Sequence, residues 1–150
     1  MELNATHSNA IAFGREAFKR AMRECILWTN ERENSEGRFD PQSVAALDAL
    51  ADEFMDIHAD TLADGELYLP EAYRQAGHDF ALTCEGHGSG FWDRPEIYGQ
   101  DNADAMTATC EAIYIETCAS DEDDRLDPEY VVDVMCGYYG DAKSLAEAVK

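Results

Sequence analysis

Every surplus acid in this chain lies beyond residue 39. Of 32 acids and 11 bases, six of each fall in residues 1–39, where Arg15, Lys19, Arg20, Arg23, Arg32 and Arg38 offset their acidic neighbours. The formal charge of -21 therefore rests entirely on residues 40–150. Such a body repels itself, which opposes compaction, and it repels nucleic acid and anionic membranes. It has the means to fold all the same, because hydrophobic residues make up 45% of the 150 and are spread along the chain. That content separates it from a disordered acidic tail, and the length suits one domain, here residues 1–150. Solubility and salt adaptation also explain acidity, but five cysteines and a large aromatic content fit a halophile poorly.

No N-terminal stretch joins a basic region to an apolar run of signal length, and no run approaches the ~20 apolar residues of a membrane span. Cys25, Cys84, Cys110, Cys118 and Cys136 form no Cys-x-x-Cys pair. Reduced, mostly buried thiols in a cytoplasm are expected, with no disulfide framework and no zinc ribbon.

Periodicity predicts a helix over 9–30, with Ile11, Phe18, Met22, Cys25 and Ile26 inward and Trp28 closing it against the core. Asp40 as N-cap and Pro41 at the first helical position start a second helix, reaching about Leu62. Its buried stripe is Val44, Leu47, Leu50, Ala51, Phe54, Ile57 and Leu62. Pro70 starts a short helix that Gly77 ends. Phe80–Thr83 and Phe91–Trp92, flanking Gly86, Gly88 and Gly90, then read as a hairpin or tight loop, with Trp92 in the core. Further helices are predicted over 101–112, from Asp127-Pro128 to about Tyr138, and over 141–149, with a strand from Ile113 to Thr117. The fold class is α+β, a helix-rich single domain with a small antiparallel sheet or hairpin.

The second helix carries an unusual row. Asp48, Asp52, Asp56, Asp60 and Asp64 follow at intervals of four, about 6 Å apart along the axis, and Glu53 thickens the row. Like charges so placed weaken a helix by a few tenths of a kcal/mol per pair, and no lysine or arginine interrupts them. A solvated face explains many charged rows, but a single-sign row that costs stability also suits a partner-binding surface, together with the acidic segment Asp121, Glu122, Asp123 and Asp124.

Other chemistry has weaker signals. His78, Asp79, Cys84 and His87 lie within ten residues of one another and are ligand types used by zinc and iron, but their spacing matches no strong motif. A turn braced by His78 and Asp79, with glycines allowing close packing, explains them more simply. Nucleophile elbow, phosphate loop and dinucleotide glycine pattern are all missing, and Ser89 lacks a strand-to-helix context. No cofactor is expected, nor catalysis. Direct nucleic-acid binding lacks its basic footprint.

The stretch Gly77-His-Asp-Phe-Ala-Leu-Thr-Cys-Glu-Gly-His-Gly-Ser-Gly-Phe-Trp-Asp-Arg94 resembles a family of small tailed-bacteriophage proteins with the signature "hDFWLTRNGHGAGFWDR". Ala81 stands where that pattern usually has tryptophan, and Cys84-Glu85 where it has Arg-Asn, so this chain is the more acidic. The resemblance implies phage origin and expression in a bacterial cytoplasm, and assigns no site residues. Joined to the acidity, it leads to the expectation of a DNA mimic: a protein that occupies the DNA site of a host enzyme, gyrase or a defence nuclease first among them. A small metal-dependent hydrolase using the His78/Asp79/His87 region, and an acidic scaffolding protein, are the alternatives.

Overall fold

The computed structural model describes residues 5–29, 39–63, 69–86, 89–117, 133–140 and 142–149. In chain order the elements are α1 (Ala5–Thr29), α2 (Pro41–Ile57), α3 (Ala59–Ala63), α4 (Leu69–Cys84), a 3-10 turn (Phe91–Asp93), α5 (Pro95–Tyr98), α6 (Gln100–Glu111), β1 (Ile113–Thr117), β2 (Val134–Tyr138) and α7 (Leu145–Ala148). The strands pair antiparallel, with Ile113 opposite Tyr138 and Thr117 opposite Val134. The architecture is thus the helix-rich α+β domain that the sequence suggests.

α2 begins as expected: the Asp40 carboxylate accepts from the backbone N–H groups of Gln42 and Ser43 at 3.0 and 3.2 Å, and Pro41 supplies a helical φ where no N–H is needed. The helix stops at His58, one turn earlier than its apolar stripe suggests, and α3 continues beyond. Leu47, Leu50, Ala51, Phe54 and Leu62 are buried as expected, whereas Ile57 is exposed and Met55 is buried in its place.

Five expectations are corrected. Gly77 does not end a helix, and Phe80–Thr83 is no hairpin strand, since α4 runs through both to Cys84. The glycine is instead a contact point. A Cβ there would lie 2.2 Å from the Phe18 carbonyl oxygen, so its absence lets α4 rest on the backbone of α1. Nor is the end of the predicted 127–138 helix helical. Val134–Tyr138 is β2, where antiparallel pairing with β1 takes up the backbone hydrogen bonds; Asp127 and Pro128 lie outside the described residues. Trp28 and Trp92, both assigned to the core, are 57% and 48% exposed. Ile26 and Leu27 fill the core at the end of α1, and Phe91 does so in the turn.

The centre of the core is aromatic. Phe18 of α1, Phe54 of α2, Phe80 of α4 and Phe91 of the turn meet with ring centroids 4.7 to 5.9 Å apart. Each side chain is fully buried, so elements far apart in sequence share one cluster. Tilted and offset rings of this kind add about 0.5–1.5 kcal/mol per pair beyond their area burial.

Two measurements test this packing. Gly→Ala ordinarily stabilises a helix by about 1 kcal/mol. Gly77→Ala is expected to reverse that sign and cost about 1–3 kcal/mol, the usual effect of overpacking, read from the denaturation midpoint. The second concerns His58, whose Nε2 lies 2.9 Å from Thr109 Oγ1. Because the Thr109 hydroxyl already donates to the Ala105 carbonyl, neutral His58 donates to Thr109. Burial lowers its pKa from 6.5, so the unfolded chain takes up that proton more readily, and stability is lost as pH falls through 6.5 towards the folded value. The melting-temperature gap between wild type and His58→Gln should therefore narrow between about pH 7.5 and pH 5.5. A gap independent of pH would refute the assignment.

Candidate functional site

The aspartate row on α2 faces α1, and it is compensated there. Arg23 bonds Asp48 at 2.5 Å, Arg15 and Lys19 bond Asp52 at 2.9 and 3.1 Å, and Arg15 also reaches Asp56 at 3.0 Å. Partial burial disfavours the Arg15 charge, but hydrogen bonds to and attraction by the Asp52 and Asp56 carboxylates outweigh it and raise the Arg15 pKa. Glu53 points elsewhere: it accepts from the Tyr138 hydroxyl, and from the Leu145 N–H at 3.0 Å. It thereby ties α2 to β2 and α7. The premise of an uncompensated row is overturned for Asp48, Asp52 and Asp56, since bases 25 to 41 positions earlier neutralise them. Asp60 on α3 is exposed. Asp64, Asp121, Glu122, Asp123 and Asp124 lie outside the described residues.

Exposed acids without local bases lie further along the chain. No lysine, arginine or histidine occurs from Pro95 to Asp124. Within that stretch Glu96 on α5, Asp101, Asp104 and Glu111 on α6, and Glu116 on β1 are all exposed. Steps of three and seven put Asp101, Asp104 and Glu111 on one side of α6, spanning about 15 Å, opposite the buried Ala103, Met106 and Cys110. Among the described residues no salt bridge reaches these five acids.

The 77–94 motif is a lock between α4 and the turn that follows. Asp79 is fully buried, and its carboxylate accepts from Arg94 Nε and the Tyr98 hydroxyl, each at 2.7 Å, and from Gln75 Nε2 at 3.1 Å. A buried charge needs such partners, because desolvation otherwise costs several kcal/mol. Burial, reinforced by the Asp79 charge, pushes the Tyr98 phenol up, so it remains a donor. One turn later the Thr83 hydroxyl donates to the Asp79 carbonyl at 2.7 Å and accepts from the Phe91 N–H at 3.2 Å. Gly90 carries φ +145, and a Cβ on it would meet Thr83 Oγ1 at 2.1 Å, so only glycine suits the position. Asp93 closes the turn by accepting from the Gly90 N–H at 3.0 Å. The result is to drive Phe91 into the core.

This geometry does not bring the described candidates for metal ligands together. Asp79 is committed to Arg94 and Tyr98. His78 lies beside Trp28, the two rings 6.4 Å apart, and His87 lies outside the described residues. Among the described residues no group of three or more His, Cys, Asp or Glu is arranged to hold a metal ion. Burial and the neighbouring Cys110 thiol push the Cys84 thiol well up, and burial pushes Cys25 up to about 12. Thiols kept protonated are poor nucleophiles.

Among the described residues no helix is long and apolar enough to cross a membrane. No family profile, curated protein or solved structure matches the chain.

Arg94, Tyr98 and Gln75 were missed as site-forming residues. Arg94 had a signal, since it closes the motif that Asp79 opens, but nothing local shows that the two meet. The base-free stretch 95–124 was also readable, and was overshadowed by the regular row on α2.

Buried Phe91 and half-exposed Trp92 should part company on truncation. Phe91→Ala is expected to cost about 3–5 kcal/mol, and Trp92→Ala about 1 kcal/mol or less, by chemical denaturation. Equal losses would place both rings in the core.

Proposed function

We propose that this protein is a phage-encoded, non-enzymatic DNA mimic that occupies the DNA site of a basic bacterial enzyme, gyrase or a defence nuclease being the first to test. The observation that carries the reading is the side of α6 bearing Asp101, Asp104 and Glu111, which with Glu96 on α5 and Glu116 on β1 is exposed and reached by no salt bridge among the described residues. The phage origin rests on the resemblance of residues 77–94. Proteins that bind DNA draw much of their affinity from neutralising one charge per ~1.7 Å of duplex. A rigid helix edged with carboxylates meets the same cations without the ordering cost of a flexible acidic tail. The α2 row contributes less to this surface, because α1 already holds Asp48 and Asp52.

The test begins by capturing the partner from bacterial lysate at low salt and releasing it at high salt. The captured enzyme is then titrated with wild type and two variants. Changing Asp101, Asp104, Glu111 and Glu116 together to their amides should weaken inhibition at least about tenfold, or 1.4 kcal/mol, and leave the melting temperature intact or raised. Changing Asp48 and Asp52 to Asn should cost stability, about 0.2–1 kcal/mol per lost pair, and leave inhibition near wild type. Duplex DNA should compete, and affinity should fall as salt rises. Equal potency of wild type and the α6 variant, or binding indifferent to salt and DNA, refutes the proposal.

A further inference from the structure

Between α1 and α4 lies a groove of about 380 Å³, within the roughly 300–1,000 Å³ of small-ligand sites. Its chemistry differs from the rest of the surface. Residues 40–150 hold five bases among 26 acids, and two of those five, Arg74 and Arg94, line this one groove. One wall is the Trp28 indole, 57% exposed, with the His78 ring 6.4 Å away and inclined by 37°.

Arg94 is held as a ligand-binding arginine would be. Fully buried Asp79 engages its Nε at 2.7 Å and so fixes the guanidinium plane. Its two Nη groups bond no side chain among the described residues, and the side chain is 31% exposed. The ion pair with Asp79 takes only this Nε, and Tyr98 and Gln75 supply the other bonds to the carboxylate. Arg74, 63% exposed, gives Nε and Nη2 to Glu71 one turn before it on α4, which leaves its Nη1, and the Glu24 carboxylate of α1 lines the same groove. Gln75 gives its amide N–H to Asp79, which leaves its carbonyl as an acceptor. The groove thus combines a flat aromatic wall, a pre-oriented fork of unused donors and a nearby acceptor.

A fork of guanidinium donors matches carboxylate or phosphate oxygens, and an exposed indole matches a flat ring. The surrounding negative field disfavours polyanions, which excludes a nucleic acid strand as the occupant. We propose that the α1–α4 groove binds a small planar aromatic anion, its ring against Trp28 and His78 and its carboxylate or phosphate on Arg94 and Arg74. This site is separate from the acidic face of α6 and does not depend on the DNA-mimic reading.

The test is an NMR titration of the full-length, ¹⁵N-labelled protein, following the two indole N–H signals, with Trp92 as internal control. Adenosine 5′-monophosphate serves as the phosphate arm and indole-3-acetate as the carboxylate arm; adenosine and inorganic phosphate serve as half-ligands. Expected is a saturable shift of the Trp28 signal with at least one arm while Trp92 stays still, the half-ligands binding about tenfold more weakly or worse. A response to one arm alone assigns the anion, and a response to both assigns the shared chemistry. Arg94→Lys keeps a cation on Asp79 and removes the fork, so it should weaken binding by about tenfold. Arg74→Gln and Trp28→Ala change exposed side chains, and calorimetry should show weakened binding in the first and none in the second. No saturable Trp28 shift with either arm at millimolar ligand, equal shifts at Trp28 and Trp92, or unchanged affinity in Trp28→Ala overturns the proposal.

Discussion

A single buried carboxylate organises the second half of the structure. Asp79 sits on α4 with no exposure to solvent, and a charge so placed persists only if its partners reach it. They come from its own helix, from the end of the 3-10 turn and from α5. Satisfying Asp79 therefore fixes where the chain travels after α4. Thr83, one helical turn further on, bonds the N–H of Phe91 and sets that ring at the centre of the core. The cost of leaving the charge unpaired is thus converted into a defined path for residues 89–98.

The same logic of charge governs the first half with a different outcome. α1 holds the cations of the balanced N-terminal segment, and α2 presents aspartates every four residues. Packed together, the two helices make ion pairs at Asp48, Asp52 and Asp56. These pairs are partly exposed, so each contributes modestly. Their larger effect is on the distribution of charge. Self-repulsion is relieved where α1 meets α2 and is left concentrated over α5, α6 and β1, where the chain supplies no base at all.

The Phe18, Phe54, Phe80 and Phe91 cluster joins these halves. Its formation requires α4 to approach α1 closely, and Gly77 permits that approach against the Phe18 carbonyl. Two features that look local, a glycine in a helix and a glycine at φ +145 beside Thr83, are thus both conditions for one aromatic core. At Gly77 and Gly90 the motif thus serves close packing.

Much of this was readable in the chain because it depends on neighbours in sequence. Asp40-Pro41 announces the start of α2, the three- and four-residue steps of Phe18, Met22 and Cys25 give the inner face of α1, and Ile113–Thr117 reads as a strand. Where distant contacts decide, local signals mislead. Gly77 reads as a helix stop until α1 is seen beneath it, and Val134–Tyr138 reads as helix until β1 offers it a hydrogen-bonding partner. The two tryptophans, the largest apolar side chains, read as core until the phenylalanines are seen to fill it. Sequence alone determined the total charge, its absence from residues 1–39, the main helices and the alternation of residue types along them, since each of these is a property of composition or of spacing within a few turns. Only the tertiary structure decided which carboxylates meet a cation and which stay bare. An ion pair depends on distances of 3 to 4 Å between residues tens of positions apart, and those distances exist only once the helices have packed.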